Sequence, residues 1–121
     1  MEVIDYKPLG TIFIPYGSRK RFMIIARAIA VSKKTGEKKQ FFDYACVLYP
    51  EGLIGNQLFY YQDSEISEVV FEGFSDEENE VALSRLKPIL EKADVKRPEN
   101  HLDKLDDILQ ALKNKKDNPE R

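Results

Sequence analysis

Between Leu9 and Phe74 the apolar residues come in short runs, rich in β-branched and aromatic side chains and cut by turn formers, a pattern that predicts strands. The first, GTIFIP, closes on Pro15, and Tyr16-Gly17-Ser18-Arg19 then supplies a turn in which Gly17 is free to take positive φ. Arg21 to Val31 is a long second strand, and KKTGEKK, Lys33 to Lys39, is a charged turn around Gly36 that leads into a third, Gln40 to Leu48. Alternation places Phe42, Tyr44 and Cys46 on one face of that strand and Phe41, Asp43, Ala45 and Val47 on the other, so both faces should be partly covered. Leu58 to Gln62 and Glu68 to Glu72 give a fourth and a fifth strand, with DSEISE between them as a single helical turn opened by Asp63 or Ser64. Five short antiparallel strands must bury one face and manage two edges, and a small curled sheet or barrel of the SH3-like kind meets both needs.

The periodicity changes at Ser75. SDEE reads as a capping box, Ser75 accepting from free amides and Glu78 reaching back, with Asp76 and Glu77 at the positive end of the helix dipole. Ala82, Leu86, Ile89 and Leu90 form an apolar stripe, and Pro88 removes the backbone bond to Ser84, predicting a kink or a new start there. After the linker VKRPEN, the stripe Leu102, Leu105, Ile108, Leu109 and Leu112 predicts a second amphipathic helix. The plan is one α+β domain over residues 1–121: a β core at 9–74, a helix at 75–92, a C-terminal helix at 99–116 and a frayed tail at 117–121.

At 121 residues one core suffices, and the 33% of charged residues argues for a well-solvated exterior. A net charge of -2 does not point to nucleic acid or an anionic membrane. The lone Cys46 has no intramolecular partner, the N-terminus lacks a secretory profile, and the apolar run FMIIARAIAV contains Arg27 and is too short to span a bilayer. A cytoplasmic protein is expected.

No catalytic constellation emerges, and no cofactor or metal is expected. His101 has no Cys or second His at ligand spacing, Cys46 lies among apolar neighbours, and neither a P-loop nor a dinucleotide fingerprint occurs. The acidic residues between Asp63 and Glu80 read as a solvated face. Positions 40–84 hold ten acidic residues and no Lys or Arg, whereas Arg19, Lys20, Arg21, Lys33, Lys34, Lys38 and Lys39 cluster in the two turns that flank the second strand. Those basic turns are either solvated hairpin tips or a nucleic-acid contact. Phe59, Tyr60 and Tyr61 in succession send rings to both faces of their strand, making an exposed binding ring one reading and burial the other. Tyr49-Pro50-Glu51-Gly52 fits a type I turn, after which Leu53 and Ile54 either plug the end of the barrel or join a contact patch. Tyr49, Leu53, Ile54, Phe59, Tyr60 and Tyr61 are therefore the candidate partner-binding residues.

LGTIF, the MII of strand two, the aromatic-Asp-Tyr of FFDYAC, YPEG and EVVFEGF resemble a bacterial domain-of-unknown-function family, number 4176, over roughly Leu9 to Lys92. Ala26 and Ala45 depart from the glycines common in those neighbourhoods. The resemblance implies a small cytoplasmic protein of Gram-positive bacteria from type VII (b-type) secretion loci, near LXG-type toxins and small helical WXG100-like proteins. It implies a non-enzymatic accessory role, as adaptor or chaperone for an effector or a secretion component, and brings no catalytic residues. The alternatives are an SH3-like nucleic-acid-binding module using the basic hairpin turns and a toxin-neutralising immunity protein.

Overall fold

The computed structural model describes residues 2–32, 39–93 and 97–98. They form a five-stranded antiparallel sheet and one helix, an α+β architecture: β1 (Ile12–Pro15), β2 (Arg21–Val31), β3 (Gln40–Tyr49), β4 (Phe59–Tyr61), a 3₁₀ turn (Asp63–Glu65), β5 (Ile66–Phe71) and α1 (Glu77–Lys92). Strand order is β4-β3-β2-β1-β5, so the chain meanders outward from β1 to β4 and then returns to lay β5 on the far side of β1. The charged turn at 33–38, the expected helix at 99–116 and the tail at 117–121 lie outside the described residues.

The long β2–β3 ladder carries two irregularities that decide which side chains meet. Pairing shifts by one residue between Ile24 and Ala26, leaving Ile25 as the extra, exposed residue of a bulge. Ala28 then has φ 57, in the left-handed region that disfavours a side chain, and the pairs run from Arg27↔Tyr44 to Ile29↔Phe42 with Ala28 and Asp43 between them. Strict alternation places Phe42 with Tyr44 and Cys46, but the structure does not. Phe41 joins Tyr44 and Cys46 in the core cluster, while the Phe42 ring packs against Tyr60, 5.3 Å between centroids. Alternation breaks beside the left-handed Ala28, with Phe41 on the same side as Tyr44 and Cys46, and the burial of Asp43, Ala45 and Val47 as well means that both faces of β3 are covered.

The core is mostly aromatic. Phe13 of β1 is fully buried and meets Phe22 of β2 and Tyr61 of β4, and Phe22 meets Phe59 and Tyr61 edge to face. Tyr6 from the N-terminal segment closes the cluster edge-on against Tyr44. From α1, Leu90 is buried and Leu83 and Leu86 are packed against the core, whereas Ile89 is 65% exposed and Ala82 is exposed. The inward stripe is thus Leu83-Leu86-Leu90, rotated from the expected Ala82-Leu86-Ile89-Leu90, because only one narrow side of the helix reaches the sheet.

The ends of the elements also differ from expectation. The N-cap of α1 is Asp76, whose carboxylate accepts from the Asn79 amide, while Ser75 Oγ accepts from the Asn79 side chain. The helix runs through Pro88 without a new start. Gln62 opens the 3₁₀ turn, its amide donating to Glu65 Oε1. Around Pro50 the Tyr49–Pro50 peptide is cis and the turn is closed by the Gly52 amide on Leu48 O at 2.7 Å, in place of the expected type I turn.

Gly73 is where β5 leaves the sheet. Its amide donates to Thr11 Oγ1 at 3.0 Å, and Thr11 Oγ1 in turn donates to Pro8 O at 2.7 Å. A methyl group at Gly73 would overlap the Leu9 carbonyl oxygen and come within 2.8 Å of the Thr11 amide nitrogen, both backbone atoms that cannot swing aside. Gly73→Ala should therefore cost about 1–3 kcal/mol in chemical denaturation, the usual range for forced overpacking. A change within about 0.5 kcal/mol, the range of an ordinary surface substitution, would mean that the pinch is not tight.

Candidate interaction surface

Two features stand out, one buried and polar, the other exposed and apolar. The buried one centres on Asp43. Its Oδ1 accepts from Tyr6 Oη at 3.3 Å and from Arg97 Nε and Nη2 at 3.1 and 2.8 Å, while Oδ2 accepts from the Asp63 amide at 2.8 Å. Asp63 Oδ1 takes the Tyr44 hydroxyl at 2.7 Å and Lys7 Nζ at 2.6 Å. Gln62 joins in, Oε1 accepting from the Asp43 amide and Nε2 donating to Phe41 O. The network ties the N-terminal segment, β3, the 3₁₀ turn and Arg97 together, and every buried side-chain polar atom among the described residues is paired. Arg97 also lies over the Phe41 ring, 5.3 Å from its centroid.

This arrangement is built for holding. Asp43 is occupied on both oxygens, and burial is the chief cause that pushes the Tyr6 and Tyr44 hydroxyls and the Cys46 thiol up from their usual pKa ranges. Tyr61 is pushed up to about 12, chiefly by burial and then by the nearby Cys46 and Glu65. A phenol whose folded pKa exceeds its unfolded value of 10.0 stabilises the fold below that pH, and the contribution is lost as pH rises toward about 12. Denaturation midpoints should accordingly fall as pH climbs above 10.0, and a midpoint level through that window would contradict the burial of these rings.

The corner 49–55 has a different character. Glu51 is exposed and pairs with Lys20 at 2.6 Å, and the Arg21 guanidinium stacks over the half-buried Tyr49 ring at 5.1 Å. Glu51 and Asp43 are thus engaged by separate cations, in different settings. Leu53 and Ile54 stand out, 56% and 54% exposed. Of the aromatic triplet, Phe59 and Tyr61 pack against the core beside Phe22, and Tyr60 lies on the other side with Phe42. The structure thus leaves Leu53 and Ile54 open and half-buries Tyr49, Phe59, Tyr60 and Tyr61.

β5 and the residues that follow it carry a run of exposed apolar side chains. Val69, Val70 and Phe71 are 42%, 46% and 58% exposed, and Phe74 is 81% exposed. The pairing with β1 skips Ser67 and Val70, so β5 carries two bulges, and the exposed run Val69, Val70 and Phe71 spans the second of them. β5 is also an end strand of the sheet, paired through one edge with β1. Strand assignment from sequence finds EVVFE, Glu68 to Glu72, as a strand but carries no sign of this, because a β-branched run looks the same in a core strand and at a bare edge.

A family model described as Domain of unknown function (DUF4176) matches residues 6–82. The chain belongs to this family. Within DUF4176 the matched span runs from Tyr6 through all five strands, β5 and Phe74 included, into the first turns of α1; Arg97 lies beyond it. No curated protein and no solved structure matches the chain.

Among the described residues no cluster of His, Cys, Asp and Glu could hold a metal ion, and no helix is long and apolar enough to cross a membrane.

Proposed function

We propose that this protein is a non-enzymatic accessory module that binds another protein, as adaptor or chaperone for an effector or component of type VII secretion. The observation that carries the binding role is the run of exposed apolar residues Val69, Val70, Phe71 and Phe74 on and just after an end strand, since contiguous exposed apolar surface marks an interaction site. The secretion context is what membership in the family suggests. Leu53 and Ile54 provide a second, smaller apolar contact. The finer reading of the fold, an SH3-like curled sheet, is supported by the way β5 returns beside β1 after the 3₁₀ turn. Cytoplasmic residence belongs to the same proposal.

Of the basic residues in the turns that flank the second strand, Lys20 is held by Glu51 and Arg21 by the Tyr49 ring, which weakens the nucleic-acid alternative for the first turn; the second turn lies almost wholly outside the described residues.

The test is co-expression of the full chain with an LXG-type toxin from the same genome. The expected result is a complex that copurifies and increases the amount of toxin secreted. Rescue of growth with no effect on secretion would make the protein an immunity factor, and purification alone under gentle conditions would overturn the proposal.

A further inference from the structure

β5 offers three things together: an edge with no described strand beside it, exposed apolar side chains, and negative charge at both ends. Its pairing with β1 uses one edge, and no other strand of the described sheet lies beside it. Val69, Val70 and Phe71 sit between Glu68 and Glu72, and Asp76, Glu77 and Glu78 follow just beyond Phe74, with no Lys or Arg in the chain from 40 to 84. We infer that β5 accepts an extended segment of a partner protein as a sixth strand, and that this segment alternates apolar with basic residues. The inference rests on the binding role proposed above and specifies its mode and its partner chemistry.

The argument runs through the backbone first. A strand edge presents amides and carbonyls at fixed spacing, and an added strand satisfies them while laying alternate side chains on the two faces. Val69, Val70 and Phe71 are 42%, 46% and 58% exposed, so a strand laid beside β5 would find apolar side chains to pack against. The acidic residues then select among apolar strands. Glu68 and Glu72 are exposed and four positions apart, so lysines or arginines in the incoming strand would be attracted and acidic residues repelled. The same density of carboxylates opposes association of β5 with the β5 of a second copy. A sheet edge beside β1 is also firmly based, because β1 is pinned by the fully buried Phe13 and Thr11.

A suitable probe is a capped heptapeptide of alternating lysine and valine, titrated into the full chain and followed by amide NMR and hydrogen exchange. The expected result is saturable binding with shifts centred on β5 and Glu72–Phe74, and slowed exchange at those β5 amides that exchange fast in the free protein. The same peptide N-methylated along both edges keeps its side chains and charge but loses its backbone donors, and should bind about tenfold or more weakly. Glu68→Lys together with Glu72→Lys, both at exposed positions, should weaken binding and flatten its salt dependence. Equal binding of the plain and N-methylated peptides would overturn strand addition while leaving the accessory role standing. So would β5 amides that are all slow in the free chain, which means that the chain covers its own edge, or exchange that slows with protein concentration, which means a second copy. A toxin complex that forms undiminished with the double Lys variant would place the partner elsewhere.

Discussion

Replacing Asp43 by alanine should cost about 3–5 kcal/mol, the range seen when one member of a buried ion pair is removed. The Asp43 side chain is 3% exposed and Arg97 is 22% exposed, so deletion leaves a guanidinium in a poorly hydrated place, together with an Asp63 amide and a Tyr6 hydroxyl that lose their acceptor. Asp43→Asn keeps an oxygen for the Asp63 amide and should be milder. Arg97→Ala should be costly as well, because it leaves the Asp43 carboxylate, the more deeply buried of the two charges, with only Tyr6 and the Asp63 amide as partners. A double-mutant cycle between the two positions should return a coupling of about 0.5–3 kcal/mol. Urea denaturation of the four proteins measures it, and an Asp43→Ala loss below about 0.5 kcal/mol, as at an ordinary surface site, would show that the network does not hold the N-terminal segment to the sheet.

Phe13→Ala should be equally severe, about 3–5 kcal/mol, because it empties the centre of an aromatic core. The ring is fully buried, with Phe22 and Tyr61 centroids 6.2 and 5.6 Å away, and β1 carries it between β2 and β5. Phe13→Leu refills much of the volume and should cost less, closer to about 1.5 kcal/mol. Since β1 is the only strand paired with β5 among the described residues, the alanine variant should also speed hydrogen exchange across Ile66–Phe71 before global unfolding. If exchange there were unchanged, β5 would be held by contacts other than the ladder.

The residues most legible in the chain were those whose pattern is local. The bounds of β2, Arg21–Val31, follow from an unbroken β-forming run between a Gly17 turn and a charged turn, and α1 from an acidic start followed by helical spacing. Where the reading from pattern went astray, the deciding contact was distant. Ser75 and Asp76 are equivalent as caps by composition, and the path of the chain into the helix selects Asp76. Alternation cannot foresee the left-handed Ala28 or the place of Phe41 beside Tyr44 and Cys46, since both belong to the packing of two paired strands. Arg97, in what reads as a linker, is fastened to a carboxylate 54 positions earlier in the chain. The partner candidates divide in the same way, with Leu53 and Ile54 left open while Phe59 and Tyr61 are drawn against the core.

By itself, then, the chain determined its class: near-neighbour sterics and side-chain period set strands from Ile12 to Phe71 and a helix after Asp76. Which faces of those strands are buried, which strand is left as a bare edge and which charges are paired were decided only by tertiary structure. Burial and pairing depend on what lies opposite a residue in space, and residues from Tyr6 to Arg97 become neighbours only when the sheet has closed around Asp43.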